Sequence, residues 1–181
     1  DPEKPSPLPS MQQTARTLEQ LGAGCLCAPC VTSHYFYREL AGSVSIPFLN
    51  MLTETAQELK AAGRRKAGIL ATTGTVSTGL FQTALEACGL ESAVPGSYGQ
   101  NLVMSLIYDE IKAGRPADPE KFEAVSRELQ LSGCDSLILG CTELSLVKRN
   151  GHLGRFYTDS LEVLADVTIR SCGKTSIGFD L

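Results

Sequence analysis

The sequence predicts an α/β protein with parallel sheets covered by helices, on three observations. Short apolar runs alternate with stretches of helical period. Glycine and proline punctuate the joints between them. Two of the runs end in cysteine-containing turns, Ala28-Pro29-Cys30-Val31-Thr32 and Gly140-Cys141-Thr142-Glu143, each followed by a helix-like stretch. A strand that ends in such a turn places its thiol over the carboxyl end of a sheet, where open α/β folds bind ligands.

Each element has its own local reason. Met11 to Leu21 carries apolar residues near the helical period, follows a possible Ser10 cap and stops at Gly22, which predicts a helix. The run Ala23 to Pro29 suits a strand buried on both faces, and Ser45 to Asn50 and Ala67 to Thr72 look the same. Helices are expected over Glu54 to Ala62 and over Val76 to Cys88, the latter closed by Gly89. Gln100 to Ala113 is helical, Gly114-Arg115-Pro116 breaks the chain, and a helix from Pro119 to Leu131 follows an Asp118 cap. Ser136 to Leu139 is the second strand leading to a cysteine. A helix over Glu143 to Lys148, a strand over Phe156 to Thr158 and a helix over Ser160 to Cys172 complete the alternation.

A chain of 181 residues can bury about 70% of its unfolded surface, so it needs no staple. Its seven cysteines are odd in number and irregularly spaced, unlike a disulfide framework, and imply a reducing cytoplasm. Asp1 to Ser10 is polar and proline-rich, unlike a signal peptide, and no apolar run approaches a membrane span of about 18 residues. A net charge of −4 with scattered Lys and Arg argues against nucleic acid as a partner. Arg64-Arg65-Lys66, the one basic cluster, reads as a solvated helix end. The expected protein is soluble and cytoplasmic, with no membrane partner.

Four ordered motifs carry a resemblance. Pro29-Cys30-x-Thr32-x-His34, Leu70-Ala71-Thr72-Thr73-Gly74-Thr75, Ile107-Tyr108-x-x-Ile111-Lys112-x-Gly114 and Leu139-Gly140-Cys141-Thr142-Glu143 together resemble the aspartate/glutamate racemase family, from about Leu18 to Cys172. The resemblance implies two similar parallel-sheet α/β domains related by a pseudo-twofold axis, one cysteine from each. It further implies inversion of an acidic amino acid at its α-carbon without a cofactor or metal, and a homodimer. The family opens with a strand, a glycine-rich turn, a helix and a strand ahead of the first helix found here, so the N-terminal domain is expected to be incomplete. Residues 1–63, completed by 160–181, would form it, and 64–159 the second. A strand left exposed in this way would favour association. Val31 stands where the family carries an asparagine that helps hold the substrate carboxylate, and valine cannot donate that bond.

Inversion through a planar carbanion needs one group to remove the α-proton and another to return a proton to the opposite face. A thiol suits both tasks, because a helix N-terminus or a cation can bring it toward neutrality. Cys30 and Cys141 are therefore the expected bases, one thiolate and one thiol at rest. The resemblance implies that Thr32, Thr72, Thr73, Thr75 and Thr142 surround the ligand carboxylates and that Lys112 reaches the side-chain carboxylate. Each residue also has a plain reading. Lys112 can be a solvated helix-end lysine, Thr72 to Thr75 a simple turn, and Glu143 either an acceptor for the substrate ammonium or ordinary compensation of a helix dipole. His34, one helical turn after Cys30, supports a thiolate or bonds the backbone, the second being the expectation. His152 belongs to a surface turn. Cys25, Cys27, Cys88, Cys134 and Cys172 are expected to be structural. A metal site from Cys25-x-Cys27-x-x-Cys30 fails on geometry, since a straight strand puts the first two on one face and Cys30 beyond Pro29. Two other functions use the same residues: an inactive relative that binds acidic amino acids or assists another subunit, and a maleate-type isomerase in which one cysteine adds covalently.

Overall fold

The computed structural model describes residues 5–178, so the first four residues of the polar N-terminal segment, and residues 179–181 of the expected first domain, lie outside the described residues. Two parallel sheets organise the chain. A short one pairs β1 (Leu26–Cys27) with β2 (Phe48–Leu49). The larger one has the order β4-β3-β5-β6, built from β3 (Lys66–Leu70), β4 (Glu91–Ala93), β5 (Ser136–Leu139) and β6 (Tyr157–Asp159). All of their pairings are parallel, with Leu70 beside Leu139 at the carboxyl ends of the two central strands.

The central strands are buried on both faces, so successive residues serve two different cores. Ala67, Ile69 and Ile138 face one core with α3 (Met51–Ala61), α5 (Leu80–Ala87) and α9 (Ser160–Ser171), through Leu59, Phe81 and Leu164 among others. Leu70, Leu137 and Leu139 face the other, against Val103, Ile107, Phe122, Leu129 and Leu144. Those side chains come from α6 (Ser97–Met104), its π-helical continuation Ser105–Ile111, α7 (Pro119–Leu131) and α8 (Thr142–Gly151). Gly68 is small for a reason, since a Cβ there would collide with Leu129 and Leu137.

Caps set the helix starts that matter. Asn50 accepts the backbone N–H groups of Leu52 and Thr53, Asp118 those of Glu120 and Lys121, and Asp159 that of Leu161. Strand β5 and helix α7 occupy the ranges expected of them.

Other elements differ from expectation. Helix α1 runs Leu8–Gln20, so Ser10 lies inside it and bonds the Pro7 carbonyl instead of capping. The expected strand over Ala23 to Pro29 pairs only at Leu26 and Cys27, and Cys27 is exposed, because β2 reaches only those two residues. The helix expected over Val76 to Cys88 is two, α4 (Thr73–Ser77) and α5, broken where Gly79 turns left-handed at φ +67°. Gln100 to Ala113 is not one regular α-helix, since it passes into π geometry at Ser105. Strand β4 was not anticipated, being an edge strand of Glu, Ser and Ala with no apolar run.

Candidate active site

Three turns meet at the carboxyl ends of the strands. In the first, Cys30 follows β1 in extended backbone and caps the 3-10 helix Val31–Phe36. Its carbonyl accepts the Ser33 N–H at 3.1 Å and the Ser33 hydroxyl at 2.5 Å. His34 fastens the turn from beneath. The Met51 N–H donates to His34 Nε2 at 3.1 Å, which leaves the proton on Nδ1 to donate to the Cys30 carbonyl at 3.2 Å. Burial holds the imidazole below its ordinary pKa, and a neutral ring is what both bonds require. His34 thus bonds the backbone, as expected, and ties Cys30 to the start of α3. The Cys30 thiol itself is exposed. Val31 is in the core at 4% exposure, so its side chain is committed to packing.

In the second turn β3 delivers Thr72, the cap of α4. Thr72 Oγ1 accepts the Thr75 N–H at 3.3 Å and lies 3.1 Å from Thr75 Oγ1. The Thr32 and Thr75 hydroxyls are 3.4 Å apart, which joins the first turn to the second across 43 residues. Gln100 Nε2 donates to the Ala71 carbonyl at 3.0 Å and to Thr73 Oγ1 at 3.3 Å.

The third turn leaves β5 through Gly140, whose N–H donates to the Leu70 carbonyl at 2.8 Å. Only glycine fits there, because a Cβ would stand 2.8 Å from Phe81 and 3.1 Å from Ala71. This close approach sets Cys141, the cap residue of α8, next to the exit of β3. The Cys141 thiol donates to Glu143 Oε2 at 2.8 Å, and the Thr142 hydroxyl donates to the same oxygen at 3.1 Å. Lys112, at the end of the π segment, lies 3.6 Å from Glu143 Oε1 and 4.4 Å above the Tyr108 ring.

The electrostatics correct one expectation. Burial first, then the hydrogen bond and the negative charge of Glu143, push the Cys141 thiol up to about 12. Its place at a helix start does not bring it toward neutrality, although the Glu143 N–H and Lys112 both pull it down. Burial alone would raise the Glu143 carboxyl. Hydrogen bonds from Cys141, from its own N–H and from Thr142, with Lys112 beside it, outweigh burial and hold it below the ordinary carboxylate range.

All of the expected site residues therefore fall into two neighbouring groups. Cys30, Thr32, Thr72, Thr73 and Thr75 form one, and Cys141, Thr142, Glu143 and Lys112 the other. Gln100 and Tyr108 were missed. Tyr108 stood inside a motif and could have been read from its spacing of four to Lys112, whereas nothing in the order of residues marks Gln100. His152 is exposed, in a left-handed turn that ends α8. Among the described residues no three His, Cys, Asp or Glu side chains are placed to hold a metal ion. No helix among them is long and apolar enough to cross a membrane.

Parallel α/β sheets of this kind are also the fold of solved aspartate and glutamate racemases. An aspartate racemase homologue from Pyrococcus horikoshii superposes with a TM-score of 0.80 at 24% identity, over 91% of this chain and 74% of that one. The Picrophilus torridus aspartate racemase gives 0.75 at 27% identity, over 94% and 71%. The Asp/Glu/Hydantoin racemase family model matches residues 1–167, and the chain belongs to that family. The broad specificity amino-acid racemase RacX of Bacillus subtilis is 27% identical over 130 residues, which cover 72% of this chain and 56% of RacX. The chain thus spans little more than half the length of that relative.

Proposed function

We propose that this chain carries the reacting groups of a cofactor-independent racemase for aspartate or glutamate, with Cys30 and Cys141 as the two proton-transfer groups. The observation that carries the reading is the placement of both cysteines. Each follows a parallel strand in extended backbone and caps the next helical turn, and the exit of β3 meets both turns, through Thr75 with Thr32 and through the Leu70 carbonyl with Gly140. A thiol pushed up to about 12 keeps its proton at neutral pH. Cys141 is therefore the resting proton donor, and Cys30 is the group that takes the α-proton from the other face. When the substrate has the opposite configuration the roles exchange, as a two-base inversion requires.

The remaining residues position the substrate. The hydroxyls of Thr32, Thr72, Thr73 and Thr75 offer donors for the α-carboxylate. Thr142 lies beside Cys141, and Lys112 is the cation for the side-chain carboxylate, which selects a dicarboxylic acid. The Glu143 carboxylate accepts the substrate ammonium. Of the relatives, one is named an aspartate racemase and RacX a broad specificity amino-acid racemase, so monocarboxylic amino acids belong in the test. We propose a domain division at 63/64 with α9 returning to the first unit, a reading that the contact of α9 with α3 supports, and a homodimer in the cytoplasm.

The test is α-proton exchange, followed by NMR, of L-aspartate and L-glutamate in deuterated water, using the chain with any residues encoded ahead of Asp1. Exchange with growth of the D enantiomer, abolished in both Cys30→Ala and Cys141→Ala, is the expected result. A second reading, an inactive relative that binds acidic amino acids, draws on the buried Val31, whose side chain offers the substrate nothing. Ligand-dependent thermal stabilisation without exchange would establish it. A stable thioether adduct would point instead to the maleate-type isomerase.

A further inference from the structure

A cavity of about 1000 Å³ opens between α7 and α8, and none of the site residues lines it. Its walls are apolar, with Ile111, Leu146, Leu153 and the rings of Phe122 and Tyr157. Those rings lie 5.4 Å apart with their planes tilted by 33°. The wall also holds one anomaly. Ser126, in the middle of α7, is 2% exposed, lines the cavity, and its hydroxyl makes no hydrogen bond. A helical serine ordinarily bonds the carbonyl one turn back or faces water, and a buried hydroxyl left without a partner is costly. Arg115 and Arg127 stand at the rim with Glu123 as the one acidic side chain, an excess of a single positive charge. Arg115 is oriented by donating its Nε to the Asp109 carbonyl at 2.9 Å. Apolar walls of this volume, with a few polar groups converging on them, are the ordinary form of a small-molecule site.

We propose that this cleft is a second ligand site, separate from the cysteine turns, and that it takes a planar aromatic monoanion. The ring system lies against Phe122 and Tyr157, and the anionic group meets Arg127 at the mouth. The site is joined to the cysteine turns by covalent continuity. Ile111 adjoins Lys112, and Leu146 lies one turn beyond Glu143 on α8, so an occupant touches both elements that carry the Lys112–Glu143 pair.

The experiment titrates the chain with anilinonaphthalene sulfonate and maps the amide shifts by NMR. Saturable one-to-one binding is expected, with the shifts concentrated at Ile111, Phe122, Ser126, Leu146 and Leu153. Arg127→Glu, on the exposed rim, should weaken binding about tenfold, and Ser126→Leu, which enlarges the wall beside Phe122, should weaken it as well. If Ser126→Leu does not fold, the rim variant and the shift map decide alone. Shifts centred elsewhere, equal binding by an analogue lacking the sulfonate, or an unchanged affinity in Arg127→Glu would overturn the proposal. So would line broadening at these residues that follows protein concentration, which would assign the cleft to a second copy of the chain.

Discussion

The Cys141 thiol donates to Glu143 Oε2 at 2.8 Å, and that carboxylate also faces Lys112 Nζ at 3.6 Å. A thiol that donates to an anion loses its partner when it ionises, and it then stands beside a like charge. In Glu143→Gln the charge is gone while the burial remains. The Cys141 pKa is expected to fall from about 12 toward the ordinary thiol value of 9.0, without reaching it, because burial is the larger cause. Thiolate absorbance across an alkaline titration, taken as the difference from Cys141→Ser, reads the shift directly. An unchanged or higher value would mean that the carboxylate does not hold the proton.

His34 makes stability depend on acid. Its Nε2 accepts the Met51 N–H only when the ring is neutral, since a protonated ring could donate to the Cys30 carbonyl but not accept from Met51, and burial holds its pKa below 6.5. The unfolded chain therefore binds a proton that the folded chain refuses. The stabilisation is present in full above pH 6.5 and is lost as pH falls through the lower, folded value. His34→Leu leaves the buried Met51 N–H unpaired, while the Cys30 carbonyl keeps its bonds from Ser33, and should cost about 1–3 kcal/mol at neutral pH. Urea midpoints measured from pH 7 downward should decline in the parent more steeply than in the variant. Parallel declines would remove His34 as the cause.

These two residues also show where sequence reading stops. Helix α7 was legible because its signals are local, an Asp cap followed by proline at the first helical position. Strand β5 was legible because all four of its residues are apolar or small and buried. The edge strand β4 was not, since pairing on one side imposes no apolar pattern on Glu91, Ser92 and Ala93. Val76 to Cys88 keeps a helical period across Gly79, so the period alone could not show that the glycine turns left-handed. In the site, the motifs picked out side chains that the fold brings into two groups, but the Thr32–Thr75 contact spans residues 43 apart and is a product of the fold. The direction of the Cys141 shift depends on burial and on the pose of Glu143, neither of which the position at a helix start determines.

Gly140 holds the third turn against the second. A methyl group there would stand 2.8 Å from Phe81 Cε2 and 3.2 Å from the Leu70 carbonyl, and both sit in packed surroundings. Gly140→Ala should therefore cost about 1–3 kcal/mol through overpacking. It should also displace Cys141, the next residue along the chain. Its urea midpoint should fall, and any proton exchange should fall further than the loss of folded protein explains. Retained exchange per folded molecule would show that the turn tolerates the displacement.

Lys112 separates specificity from structure. Its side chain is 43% exposed and its ammonium 3.6 Å from Glu143, longer than the roughly 2.8 Å of a strong charge-assisted bond. A pair of this kind adds about 0–1 kcal/mol to stability, so Lys112→Met should fold with nearly the parent midpoint. The charge matters where a second carboxylate arrives. On the racemase reading, Lys112→Met should raise KM for L-aspartate and L-glutamate about tenfold, in line with the loss of one charged hydrogen bond. Exchange of L-alanine, which has no side-chain carboxylate, should stay at the parent level, however slow. Equal loss for all three amino acids would make the lysine a support for α8 through Glu143, and any preference for acidic substrates would then have to come from the threonine turn.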